Sequence, residues 1–526
     1  MKQTDINIWG NANDAKHANF RKNLFFVNDR KSGYLSVGIL MAFLFLCLVS
    51  CSKPMTDYSS VERFATIFPA YKGTVIPPNI APLNFEIRET GKQFRVRISV
   101  SGRDSFEFSS NKTVNIPIRK WKTLLEHNRG NPLVISVFAK SSTGWSKYQE
   151  IRFLIAEEAI DPYIAYRLIE PGYTIWNRMG LFQRNLENFD ETPFMLNTLT
   201  DNNCMNCHSF CGNDPETMLF HLRKRHAGTI VVKDGKAEKI NLKTPEMPSA
   251  AVYPRWHPEG RYIAFSTNVT QQGFHTTNPN KIEVFDKESD IFIYDTQTNT
   301  IFTDSLIHSS ERFETFPEWS PDGKYLYFCS ATARPMPQEY DSVRYDLLRI
   351  PFDMHTAGFG TEVDTLVSSA QTGKSATLPR VSPDGKHLVC CLSDFGTFPI
   401  WHRETDLYML DLDTKQIQSM ENVNSNEADS YHSWSSNGRW IIFSSRRLDG
   451  RYTRLFISYF DADGKFHPPF LLPQKSPLLN DESLLSYNIP EFMTGKIKIS
   501  PTEFRKIARG EAKEVPIISS PKTRQP

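Results

Sequence analysis

The residues best equipped for chemistry stand in one short run, Cys204-Met205-Asn206-Cys207-His208. Two thiols followed at once by an imidazole form C-x-x-C-H, the attachment pattern of a c-type haem. On a helical turn both thiols would lie on one face and reach the two haem vinyl groups, while His208 meets the iron from one side of the plane. The spacing predicts one covalent haem c held by Cys204, Cys207 and His208, with His208 the proximal iron ligand. Two other readings use the same atoms. A zinc site would add Cys211 and a His. A Cys204–Cys207 redox disulfide would normally lie in a βαβ pattern, and none is evident. The distal iron ligand is expected to be His221 or Met218, three residues apart on one helix face, with His221 preferred. Met195, Met247 and His257 are further candidates.

The elements that must position these groups begin with a repeat. Trp256-His257-Pro258-Glu259-Gly260, Trp319-Ser320-Pro321-Asp322-Gly323, Val381-Ser382-Pro383-Asp384-Gly385 and Trp434-Ser435-Ser436-Asn437-Gly438 recur at spacings of 63, 62 and 53 residues. In each, Pro or Asp/Asn with Gly sets a tight turn and an alternating apolar strand follows. A unit of several strands and 50–60 residues is one propeller blade. Four blades are readable over 228–475. A fifth or sixth can be drawn from 228–242 and diverged segments, and strand exchange between 228–242 and the last blade is expected to close the ring. Arg255, Glu318 and Arg380 each directly precede a blade turn, and His432 lies two residues before the fourth. Together they would line one mouth of the ring, or else sit as solvated strand ends. Cys390 and Cys391 are expected on opposite faces of a strand, and Cys329 in a blade core.

Around the repeat the chain divides further. Residues 76–155 carry short alternating strands and read as an immunoglobulin- or fibronectin-like β-sandwich. Residues 156–227 read as loops and helical turns carrying the haem-attachment segment. Residues 476–526 read as a strap over the propeller and a disordered tail. The fold class expected is therefore mainly β: a sandwich, a short mixed segment, then a propeller.

At the start, a basic flank leads into an almost wholly apolar run over 33–49, then Ser50-Cys51. This pattern reads as an export signal, and Ser50-Cys51 resembles the lipobox of bacterial lipoproteins; the resemblance implies that 1–51 is a lipoprotein signal with Cys51 the lipidated residue, and 52–75 is read as a tether. An uncleaved anchor is the alternative, although about 17 apolar residues is short for a span. The formal net charge of +2 gives no concentrated basic face, which argues against nucleic-acid binding. No G-x-S-x-G elbow, P-loop or G-x-G-x-x-G is present.

The W-S-P-D-G-K segments resemble the TolB-like propeller repeat. CMNCHSF, MLFHLRKRHAGT, the propeller repeats, FLLPQ and PNIAPLNF at 78–85 are together similar to a group of Bacteroidetes lipoproteins described as TolB-like or cytochrome c-type. The resemblance implies a haem lipoprotein with a propeller, and no settled activity. The resulting expectation is a lipid-anchored c-type cytochrome on the outer membrane facing the periplasm. It would transfer electrons with a periplasmic or membrane redox or envelope protein docked on the propeller. A TolB-like envelope scaffold with a structural or sensory haem, and a haem peroxidase, are the alternatives.

Overall fold

The computed structural model describes residues 55–100, 104–171 and 178–518. Cys51 and the export signal lie outside the described residues. Residues from Met55 onward form one compact unit.

The N-terminal part is β-rich, as expected. Seven strands form one sheet, built around Gln93–Val100 and Pro132–Lys140, and three short strands form a second. The helix Ile118–His127 buries Trp121, Leu124 and Leu125. Their i, i+3, i+4 spacing places them on one stripe. The tether is shorter than 52–75, because Ser59–Phe64 pairs in parallel with Trp145–Gln149 and Ile67–Phe68 pairs with Phe85–Ile87.

The remainder is a six-bladed propeller. Blade 1 orders Ser486–Met493, Tyr163–Ile169, Met179–Asn185 and Glu191–Leu196 from inside outward. Blade 2 begins with Met205–Cys211, followed by Asp214–Leu222, Gly228–Lys233 and Lys236–Asn241. The inner strands of blades 3 to 6 are Ala251–Trp256, Arg312–Trp319, Ser375–Val381 and Asp429–Trp434. Each inner strand touches that of the next blade, and blade 6 touches blade 1, so the ring is closed.

Three expectations are corrected here. The propeller runs from Tyr163 to Met493, not over 228–475, and residues 156–227 are not a separate loop-and-helix segment but supply most of blade 1 and half of blade 2. Closure does not involve 228–242, whose strands are the outer half of blade 2. Instead the late strand Ser486–Met493 supplies the inner strand of blade 1, pairing antiparallel with Tyr163–Ile169. A strand from the chain's far end satisfies the edge of the first blade. Part of the expected C-terminal strap thus belongs to the ring itself. Beyond it, the helix Pro501–Arg509 buries Phe504 and Ala508, with Ser500 Oγ accepting from Glu503 N at 3.2 Å as its N-cap. Lys513–Glu514 adds a fifth strand to blade 2.

The repeat turns have a common construction. Ser320 Oγ accepts from Tyr325 N at 3.0 Å while Asp322 accepts from Lys324 N, and Gly323 takes φ +71°. Ser382 and Ser435 repeat the first bond at 3.0 Å. In the first copy His257 replaces Ser, and its Nε2 lies 3.1 Å from Gly323 O of the next blade. Neighbouring blades cover both faces of each sheet, so core strands such as 262–265 are apolar without a break. For the same reason Cys390 and Cys391, neighbours on one strand, are both fully buried.

Candidate functional site: the mouth of the central channel

Each inner strand carries the same irregularity. The ladder register slips between Asn206 and Ser209, Val252 and Arg255, Thr315 and Glu318, Thr377 and Arg380, Ser430 and Ser433, and in blade 1 between Asn488 and Glu491. One residue of each bulge takes a left-handed backbone: Cys207, Tyr253, Phe316, Leu378, Tyr431 and Ile489, all with φ between +48° and +53°. Such values are strained for bulky residues and persist only where surrounding structure enforces them. The next residue is Pro254, Pro317, Pro379 or Pro490 in four blades and His208 or His432 in two. Read in register, the six copies are CHSF, YPRW, FPEW, LPRV, YHSW and IPEF.

This register corrects the haem expectation. Cys207-His208 is the blade 2 copy of a propeller bulge, equivalent to Tyr431-His432 of blade 6. The C-x-x-C-H run lies on and just before the strand Met205–Cys211, interrupted by the left-handed Cys207, rather than on a helical turn. Cys204 packs on the cluster between blades 1 and 2, whereas Cys207, 3% exposed, is buried outside that cluster. His208 is 2% exposed and enclosed by neighbouring inner strands, leaving no open side for a porphyrin. The proposed distal ligands fare no better. Met218 and His221 lie on the strand Asp214–Leu222, not on a helix, and an odd spacing puts them on opposite faces. Met218 is in the core, and His221 Nδ1 is 2.6 Å from Thr229 Oγ1. Met195 and Met247 are core residues. The zinc and disulfide readings also fail to gain support: the six described cysteines are free, and no cluster of three His, Cys, Asp or Glu suited to a metal occurs among the described residues. The residues do not fit a c-type haem, and the electron-transfer cytochrome reading falls with it.

Electrostatics make these groups quiet. Burial pushes the Cys207 thiol up, and Cys211 to about 11. Burial lowers His208 to about 4, His221 to about 3 and His432 to about 4. Neutral imidazoles beside protonated thiols do not form an activated nucleophile and base. His432 Nε2 donates to Val389 O at 2.8 Å.

The residue after each Pro or His is different in character. In ring order these are Glu491, Ser209, Arg255, Glu318, Arg380 and Ser433. Arg255, Glu318 and Arg380, singled out in the sequence, do meet at one mouth. His432 lies a step deeper. Arg255 donates to Glu491 at 2.6 Å and contacts Glu318 at 3.1 Å, and Arg380 reaches Glu318 at 3.3 Å. The result is a chain Glu491–Arg255–Glu318–Arg380, broken at Ser433 between its two ends. Burial disfavours the Arg255 charge, but Glu491 and Glu318 together hold it above its ordinary value. Burial pushes Glu318 up to about 8, against the pull of Arg255 and with the help of Glu491. Trp319 Nε1 donates to Arg255 O at 3.2 Å, and Trp434 Nε1 to Arg380 O at 3.1 Å, so indoles fix the backbone beneath both arginines. A cavity of about 320 Å³ opens over this layer, rimmed by the repeat turns. Glu491, Ser209 and Ser433 were missed in the sequence. The signal that finds them is the four-residue stretch ending on each repeat's Trp or its equivalent, read across all six blades.

No family model and no curated protein matches the chain. Among solved structures it is similar to an oligogalacturonate lyase from Vibrio parahaemolyticus, at 11% identity and a TM-score of 0.31, covering 55% of this chain and 85% of that one. It is also similar to a puromycin-hydrolyzing peptidase from Mycobacterium tuberculosis, at 10% identity and TM-score 0.35, covering 66% and 51%. A third is prolyl oligopeptidase B from Galerina marginata, at 10% identity and TM-score 0.33, covering 65% and 49%. The chain spans about half the length of the two peptidases. The three are a lyase and two peptidases rather than cytochromes, and at these scores no activity carries over.

Proposed function

We propose that the protein is a TolB-like recognition propeller of the cell envelope, lipid-anchored through Cys51, whose channel mouth takes a carboxylate of an acidic partner segment. The observation that carries this reading is the interrupted chain of ionisable side chains. Four ionisable side chains are drawn out of water at one layer, an arrangement that is expensive and concentrates at functional sites. Arg255 is held between two carboxylates. Arg380 shares Glu318 with it, and its Nε has no protein partner. An incoming carboxylate at the Ser433 gap would complete the ring on Arg380. The four turns of the W-S-P-D-G-K kind support the TolB-like reading, and the lipobox supports the location.

Calorimetric titration tests the site. A short N-acetylated peptide ending in a free Glu carboxylate is expected to bind, and its amidated Gln counterpart is not. Arg380→Gln should weaken binding at least tenfold, since a hydrogen bond to a charged group contributes roughly 1.5–3 kcal/mol. Equal binding of the two peptides, or an unchanged affinity in Arg380→Gln, rejects the assignment.

A further inference from the structure

The opposite face of the ring carries a second, independent cavity. In blade 3 the strands Tyr262–Phe274 and Ile282–Asp295 are 13 and 14 residues long, against 6 for the inner strand Ala251–Trp256. Ala251 pairs with Thr267, so the hairpin beyond that point projects past the blade. Its tip is tied to blade 5: Asn280 Oδ1 accepts from Arg403 N at 2.9 Å, and Asn280 Nδ2 donates to Glu404 at 3.2 Å. Behind this wall lies a pocket of about 500 Å³, closed on its other side by loops of blades 5 and 6.

Its lining is charged in one sense. Lys281, Arg403, Arg446 and Arg451 face it, against one carboxylate, Glu427. Arg403 is paired to Glu427 at 3.0 Å. Neither Lys281 nor Arg451 has a carboxylate within ion-pairing distance among the described residues. Arg446 is 8% exposed and its guanidinium lies 3.8 Å from the Trp401 ring centroid, which holds the cation in place at the pocket. Trp401 and Tyr452 add aromatic surface to the lining. Cations fixed beside aromatic rings, in a pocket of this size, suit a ligand with an acid group on a ring body. The Glu427 carboxylate, bound to Arg403 through Oε1, offers its other oxygen to a hydroxyl of a polyhydroxy ring.

We propose that this pocket is a second binding site, for an anionic disaccharide-sized sugar bearing either a carboxylate or a phosphate. The pocket shares no lining residue with the channel mouth.

Calorimetry at low salt with three probes tests it: cellobiose, cellobiouronate and trehalose 6-phosphate. At least one of the two acidic sugars is expected to bind at one site per chain, and which one it is distinguishes carboxylate from phosphate. Cellobiose should bind at least tenfold more weakly. Lys281 and Arg451 are exposed, so Lys281→Ala/Arg451→Ala should fold normally and weaken the acidic sugar at least tenfold, with a shallower salt dependence. Arg380→Gln should leave that affinity unchanged. The proposal is overturned if neither acidic sugar exceeds cellobiose, if the double variant binds undiminished, or if Arg380→Gln abolishes binding, which would move the site to the mouth.

Discussion

Raising the pH from 6 to 10 should release the blade 3 hairpin while leaving the ring intact. His402 is 1% exposed, with Nε2 3.1 Å from both oxygens of Glu283 on the hairpin and Nδ1 3.2 Å from Glu404. Burial opposes its charge, but the two carboxylates prevail and raise it from 6.5 to about 9. The folded state therefore binds this proton more tightly than the unfolded state. The stabilisation is complete below 6.5, declines as pH rises toward 9, and is lost above it. The 2.5 pH units between 6.5 and about 9, at 1.36 kcal/mol each, amount to about 3 kcal/mol, or roughly 300-fold in an opening equilibrium. Glu404 is lowered to about 2, chiefly through the bond to His402 against the effect of burial, so its contribution is lost only in strong acid. Hydrogen exchange, corrected for intrinsic rates, is the assay. Protection across the outer halves of Tyr262–Phe274 and Ile282–Asp295 should fall by up to that factor between pH 6 and 10. The blade 5 strand His387–Ser393 should change little. His402→Gln should show low hairpin protection at both pH values. Equal losses throughout the propeller, or none in the hairpin, would refute the reasoning.

Two further outcomes follow from the ring. Below about pH 8 Glu318 is protonated and leaves Arg380 free for a ligand carboxylate, whereas above it the ionised Glu318 competes; affinity for the acidic peptide should fall as pH passes 8, Glu318→Gln should flatten the profile, and a flat wild-type profile counts against the mouth. Ending the chain at Leu485 removes the inner strand of blade 1 and bares the edge of Tyr163–Ile169, so the truncated protein should aggregate or lose cooperative melting; a melt matching the full chain would show that closure does not depend on Ser486–Met493.

What the sequence made legible follows from where its signals are strong. Tight turns ending in Glu, Asp or Asn followed by Gly are local chemistry, and they marked four blades. Blades 1 and 2 lack that turn, and one inner strand arrives from the far end of the chain, so closure was invisible to a reading that proceeds along the chain. Arg255, Glu318 and Arg380 could be placed at one mouth because they hold the same offset from a readable turn. Glu491 holds that offset too, but before Phe492 instead of a Trp-Ser-Pro turn.

The haem expectation failed for a related reason: a five-residue motif was weighed alone. Cys207-His208-Ser209-Phe210 is matched position by position by Tyr431-His432-Ser433-Trp434, and both share a left-handed residue at the bulge. A small buried thiol at Cys207 occupies the position that Tyr, Phe, Leu or Ile fills elsewhere, where only apolar bulk is required. Cys207→Ala should then remove about one methylene equivalent of packing, about 1 kcal/mol, lowering the melting temperature slightly without changing any visible absorbance. Haem-stained denaturing gels of the wild-type chain, produced in cells with active c-type haem attachment, should show no band, and Cys204→Ala should look the same. A covalent haem band in the wild type, lost in Cys204→Ala and Cys207→Ala, would mean that these residues are more than one copy of a six-fold structural repeat.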